Sequence, residues 1–80
     1  MKITRNRLYE ELDCMHRWLW DSRLTEEENN ENQLVITYHK GYGYSLLNYD
    51  GSREILKNST AKEVFLFLEG MDFLLRRTRA

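Results

Sequence analysis

The sequence contains no proline and a single cysteine, Cys14. One cysteine cannot form a disulfide within the chain, so packing and hydrogen bonds must hold the fold together. Without a signal peptide or a long apolar run, the expected compartment is a reducing cytoplasm, and no membrane contact is expected. No linker, repeat or low-complexity segment divides the chain, so residues 1–80 are predicted to form one domain.

The sequence is also poor in groups that carry catalysis. Its two histidines, His16 and His39, lie far apart, and neither stands at a metal-binding spacing from another ligand. The GYGY run at residues 41–44 lacks the lysine and the spaced glycines of a phosphate-binding loop. The carboxylates that the pattern places most readily fall on solvated helix faces or in the acidic loop, where nothing would raise a pKa. We therefore predict a protein that is not an enzyme and has no metal or cofactor.

The chain is organised around an apolar helix predicted over residues 59–77. Thr60 followed by Glu63 predicts a capping box, in which each side chain accepts a hydrogen bond from the other residue's backbone N–H. At 100° per residue, one stripe predicts the face buried in the core. It consists of Val64, Phe67, Leu68, Met71, Leu74 and Leu75.

The same helix carries a second set of apolar residues outside that stripe. We interpret these residues, with the nearby Arg77, as a partner or dimer interface in which Gly70 lets another backbone approach. The alternative is that they are isolated exposed apolar residues of no significance, which are common on protein surfaces. The set consists of Phe65, Leu66, Gly70, Phe73 and Arg77.

A first helix is predicted from Asn6 to about Leu24, because leucine and methionine recur at helical spacing along one face. Beside that face run Tyr9, His16 and Trp20. They predict either the shoulder of the core, where polar tips reach water, or a second partner surface. The polar residues 25–32, rich in glutamate, are predicted to be a solvated loop.

Beyond residue 33 the period becomes that of β-strands, and two glycine-containing turns follow. Three strands are predicted, at residues 33–38, 44–49 and 52–56, forming an antiparallel meander. Alternation assigns one face to the core, with Leu34, Ile36, Tyr38, Tyr42, Tyr44, Leu46 and Ile55. The other face carries Val35, Leu47, Tyr49 and Leu56.

The 12 basic and 13 acidic residues nearly balance, which argues against a protein that binds nucleic acid over its whole surface. Half of the basic residues lie near the termini, so a basic pole would form if the chain ends met in space. A nucleic-acid-binding protein remains the alternative, with tyrosines stacking on bases. Its candidate contacts are Lys40, Tyr42, Tyr44, Arg53, Arg76 and Arg79.

Residues 34–71, with a GYG turn and a TAKE cap before the last helix, resemble small phage and prophage proteins of Gram-positive bacteria. The resemblance implies a non-enzymatic accessory protein in the host cytoplasm, such as an inhibitor of a defence nuclease or a regulator of host machinery. We therefore expect an α+β domain of order α-β-β-β-α, forming a homodimer that binds a macromolecular partner.

Overall fold

A computed structural model describes residues 2–79, except for the side chain of Arg79, so that candidate contact lies outside the described residues. These described residues form an antiparallel sheet of strand order β1-β2-β3 and three helices. The predicted α+β class and the meander are confirmed. In chain order the elements are α1 (Arg5–Leu19), α2 (Glu26–Glu31), β1 (Leu34–His39), β2 (Gly43–Asn48), β3 (Glu54–Ser59) and α3 (Ala61–Arg79).

One hydrophobic core lies between the sheet and the two long helices. Ile36 of β1 and Leu46 of β2 project from the same sheet face toward α1 and α3. This confirms the predicted core assignment of both residues, which follows from the two-residue period of a strand. The buried apolar residues are Leu8, Leu12, Met15, Ile36, Leu46, Val64, Phe65 and Leu68.

The two long helices run in the same direction. Arg7 near the start of α1 lies over the ring of Phe65 near the start of α3, and Arg76 near the end of α3 lies over Trp18. The start of α1 and the end of α3 therefore lie at opposite ends of the molecule. Arg5 and Arg7 are thus separated from Arg76 and Arg77, so the basic pole expected if the chain ends met does not form.

β3 departs from the alternation that the sequence predicted. Its register against β2 shifts twice, and Leu56 pairs with Leu46 on the core side. Each shift places an extra residue in β3, which turns the following side chains over. Leu56 therefore packs against the core, as does the predicted Ile55, and its assignment to the far face was wrong. The strand also continues to Ser59, beyond its predicted end at residue 56.

The acidic segment contains a short helix rather than only a loop. Thr25 and Glu28 form a capping box at the start of α2, with each side chain accepting a backbone N–H at 3.1 Å. The buried amide of Asn29 accepts the N–H of Asp21 at 2.8 Å and donates to its carbonyl at 2.9 Å. These bonds fix the turn after α1, which ends at Leu19 and not at the predicted Leu24.

Across residues 2–79 there is no helix whose length and apolar character would let it span a bilayer.

Candidate protein-binding surface on the last helix

Three large apolar side chains of α3 are exposed: Leu66 at 52%, Phe73 at 57% and Leu74 at 63%. Gly70 lies between Leu66 and Phe73 on the helix, and a Cβ built on it would meet nothing within 4 Å. Leu66, Gly70 and Phe73 line one shallow groove of about 430 Å³. The structure therefore brings together three of the five residues predicted to form an interface, and adds Leu74 beside them. We call the set Leu66, Gly70, Phe73 and Leu74 the α3 surface.

The start of α3 is capped, and the buried residues that follow define which side of the helix faces outward. Thr60 N–H donates to Glu63 Oε1 at 2.9 Å and Glu63 N–H donates to Thr60 Oγ1 at 3.1 Å, which confirms the predicted capping box. From there Val64 and Leu68 are buried against the sheet and α1. Since residues three and four apart share a face, Leu66, Gly70 and Phe73 form a stripe on the outer side.

Phe65 does not belong to this surface, and its assignment to the interface was wrong. It is only 4% exposed and lies in the core, with the Arg7 guanidinium 4.9 Å above its ring. The reason is that α3 packs against α1 as well as the sheet, so its buried arc is wider than one stripe. The prediction for Leu74 was wrong in the opposite sense, because Leu74 was predicted to be buried and is exposed. After Asp72, none of residues 73–78 is buried.

The rim of the groove is charged. Glu69 and Asp72 line it together with Arg76, whose guanidinium pairs with Asp72 Oδ2 at 2.9 Å. Within residues 2–79, Glu69 has no ion pair at 4 Å or closer. The sequence pattern did not single out Glu69 and Asp72, although their spacing from Gly70 places both beside it on the helix. The groove therefore combines an apolar stripe with acidic and basic groups at its edge.

Arg77, the remaining predicted interface residue, lies at the edge of the α3 surface. Its guanidinium carbon is 5.5 Å from the centre of the Phe73 ring. A cation over an aromatic face is attracted by the electron density of the ring. This contact biases the ring toward one position while leaving it open to solvent.

In the second predicted surface, formed by Tyr9, His16 and Trp20, one residue helps to hold the fold together. His16 Nε2 accepts the backbone N–H of Leu34 at 3.0 Å, which ties α1 to the edge strand β1. Burial lowers the pKa of His16, and the Asp13 carboxylate opposes this only in part. His16 is therefore a neutral packing residue, whereas the side chains of Tyr9 and Trp20 are exposed beside it.

The candidate nucleic-acid contacts do not form one cluster. Lys40, Tyr42 and Tyr44 lie at the β1–β2 turn, whereas Arg53 lies in the turn at the opposite end of the sheet. Arg76 lies near the end of α3, where it pairs with Asp72. Their division follows from the strand directions, because successive turns of a meander lie at alternate ends.

No group of three or more histidine, cysteine, aspartate or glutamate side chains within residues 2–79 has the arrangement that could hold a metal ion. Cys14 is half-buried in α1. Neither family models, curated proteins nor solved structures yield a match to this chain.

Proposed function

We propose that this chain is a non-enzymatic binding protein that acts through the α3 surface. The observation that carries the proposal is the exposure of Leu66 and Phe73 on either side of an open Gly70. Exposed apolar groups that are contiguous and rimmed by polar groups are typical of sites that another protein covers. A backbone or an aromatic ring can approach Gly70 closely because that residue has no side chain.

The first partner that we propose is a second copy of the same chain. If two α3 helices pack antiparallel about a two-fold axis near Gly70, Leu66 of one copy faces Phe73 of the other. The same two-fold axis repeats that contact, so one patch supplies both halves of the interface. An 80-residue domain also buries a modest fraction of its surface, which makes association an effective source of stability.

The dimer is the form that we propose binds a host macromolecule, as a phage-type accessory protein would. The resemblance of residues 34–71 to such proteins supports the proposal, and inhibition of a defence nuclease is one instance of it. Dimerisation covers the α3 surface, so Tyr9 and Trp20 are the exposed aromatic residues that we assign to this second contact. Aromatic side chains contribute strongly to protein interfaces.

Sedimentation equilibrium of three proteins at micromolar concentrations tests the dimer. We expect the wild type to be dimeric, Phe73→Glu to be a folded monomer, and Tyr49→Glu to remain dimeric. Phe73→Glu places a charge in the apolar contact, whereas Tyr49 is another exposed aromatic residue, at 47% against 57% for Phe73, and does not line the α3 groove. A monomeric wild type, or a dimer that Phe73→Glu leaves intact, overturns the proposal.

A further inference from the structure

The lysines of this protein are concentrated at one end of the molecule. Residues from four parts of the chain meet there: the start of α1, the β1–β2 turn, the end of β3 and the start of α3. Arg5 lies over the ring of Tyr38, and Ser59 pairs with Tyr44, which brings these segments together. Three of the lysines of the sequence lie in these segments and Lys2 lies three residues before α1; all four are exposed. We call the set Lys2, Arg5, Lys40, Lys57 and Lys62 the lysine pole.

Few carboxylates offset this charge. Glu63 lies at the same end and stays charged, because the hydrogen bond from the Thr60 N–H lowers its pKa, but it is a single carboxylate among these cations. Glu10 lies one turn into α1, 3.8 Å from Arg7. The densest group of acidic side chains lies at the opposite end, in α2 and the β2–β3 turn. Although the net charge of the chain is close to zero, this end of the molecule is therefore strongly basic, and a basic surface attracts polyanions.

Tyrosine rings stand among these cations. Tyr42, at the tip of the β1–β2 turn, is 70% exposed, and Tyr38 is exposed beside it. The rings of Tyr38 and Tyr44 are 4.9 Å apart between centroids, and the Arg5 guanidinium lies 4.5 Å from the centre of the Tyr38 ring. The Tyr42 N–H donates to the His39 carbonyl at 2.9 Å, which closes the turn. The aromatic groups are thus held on an ordered turn.

We propose that the lysine pole binds single-stranded nucleic acid, with a base stacked on the exposed ring of Tyr42 and phosphates paired with the lysines. Exposed rings within a basic groove or patch are the usual means by which proteins bind unpaired strands, because every base has a flat face. A duplex hides those faces inside its own stack. No residue of the lysine pole lines the α3 groove, so the inference does not depend on the proposed dimer.

Fluorescence anisotropy with a labelled oligothymidylate of about 12 nucleotides at low salt tests the inference. We expect Tyr42→Ala to weaken binding about 5- to 100-fold, because it removes one stacking ring, and Tyr42→Phe to retain binding. The double variant Lys57→Gln/Lys62→Gln should also weaken binding. It should reduce the salt dependence by about 0.7 in log–log slope for each phosphate that a lysine no longer neutralises.

The matched control is Arg17→Gln/Arg53→Gln, which removes the same charge from exposed arginines outside the lysine pole. It should bind as tightly as the wild type, and thermal unfolding should show that every variant is folded. The proposal is overturned if the wild type does not bind at low salt, or if the control weakens binding as much as the lysine variant. It is also overturned if inorganic polyphosphate competes as well as the oligonucleotide and Tyr42→Ala has no effect.

Discussion

Glu11 of α1 and Asp72 of α3 are both buried carboxyl groups in the interface between the two parallel helices, each 6% exposed. Burial raises the pKa of Glu11, and the negative charge of Asp72 raises it further. Arg7, 3.6 Å from Glu11 Oε2, and Arg76 oppose this, whereas Glu69 adds to it. Asp72 Oδ1 accepts no hydrogen bond from the described residues. The helix pair therefore contains a carboxylate repulsion that its two arginines only partly offset.

The first prediction is that Glu11→Gln stabilises the protein near neutral pH. A pKa raised by folding above the ordinary 4.5 means that folding favours the protonated form of Glu11. The stabilising contribution of Glu11 is therefore complete below pH 4.5 and is lost as the pH rises through the raised pKa. Urea denaturation between about pH 4 and pH 8 measures this. The free energy of unfolding of the variant should increase relative to that of the wild type as the pH rises.

Glu10→Gln is the matched control, because Glu10 is the neighbouring residue and is exposed. Its free energy of unfolding should follow that of the wild type across the same pH range within about 0.5 kcal/mol. A Glu11→Gln variant that loses stability relative to the wild type with rising pH would show that the Arg7 and Arg76 charges outweigh burial.

The second prediction concerns His16 and the edge strand. His16→Phe should destabilise the protein by about 1 kcal/mol at neutral pH, because the N–H of Leu34 loses its acceptor. In the wild type this contribution should be present above the ordinary pKa of 6.5 and lost as the pH falls through the lowered pKa of His16. Chemical denaturation at several pH values measures both effects.

His39→Phe is the corresponding control, because His39 is exposed at the end of β1. It should change stability little and leave the acid dependence intact. If His16→Phe unfolds with the same pH dependence as the wild type, the bond to Leu34 does not contribute in the way described.

The sequence was sufficient to predict local features whose signal lies within a few residues. The Thr60 and Glu63 cap, the glycine turns and the core position of Ile36 all follow from spacing along a single element. The cap at Thr25 and Glu28 has the same signature. It was missed because six polar residues show no apolar period, and a capping box alone is a short signal.

Features that depend on two elements at once were not predictable in this way. A helical stripe assumes one neighbour, but α3 has both the sheet and α1 beside it, so Phe65 is buried. The shifts in β3 that turn Leu56 inward come from its pairing with β2. The lysine pole depends on which ends of the elements meet, and no local pattern gives that. Leu66, Gly70 and Phe73 of the α3 surface were found because they share one helix, whereas Leu74 was assigned to the buried stripe.

The third prediction compares two phenylalanines of α3. Phe65→Ala should destabilise the protein by about 3 to 5 kcal/mol, because it leaves a cavity in the core. Phe73→Ala should change stability by less than about 0.5 kcal/mol at concentrations where the chain is monomeric, since its ring is exposed there. Urea denaturation of the wild type and both variants gives the comparison, at submicromolar protein and below the concentrations at which the dimer is expected.

The same pair also tests association. If a second copy covers Phe73, the wild type should become more stable as its concentration rises, and Phe73→Ala should remove that dependence. Phe65→Ala should retain it if the variant still folds. Equal losses of stability in the two variants at low concentration would contradict the burial that separates Phe65 from Phe73.

The last prediction concerns Gly43 at the start of β2. Its φ is +98°, and a Cβ at this position would lie 2.6 Å from the carbonyl oxygen of Ser59. That oxygen belongs to the backbone of the neighbouring strand, so it cannot move aside as the end of a side chain can. Gly43→Ala should therefore cost about 2 to 4 kcal/mol, from the strained backbone conformation together with the displaced strand.

Gly41→Ala separates the two causes. Gly41 also has a positive φ, +87°, but a Cβ there meets nothing within 4 Å. Gly41→Ala should therefore lose only the stability that the strained backbone conformation costs, about 1 kcal/mol. Thermal unfolding should place Gly43→Ala well below Gly41→Ala, since each kcal/mol lowers the midpoint by about 4 to 8 °C in a domain of this size. If the two midpoints coincide, β3 does not pack against Gly43 as closely as described. The end of β3 then relaxes without cost, and the segments that form the lysine pole are not rigidly joined.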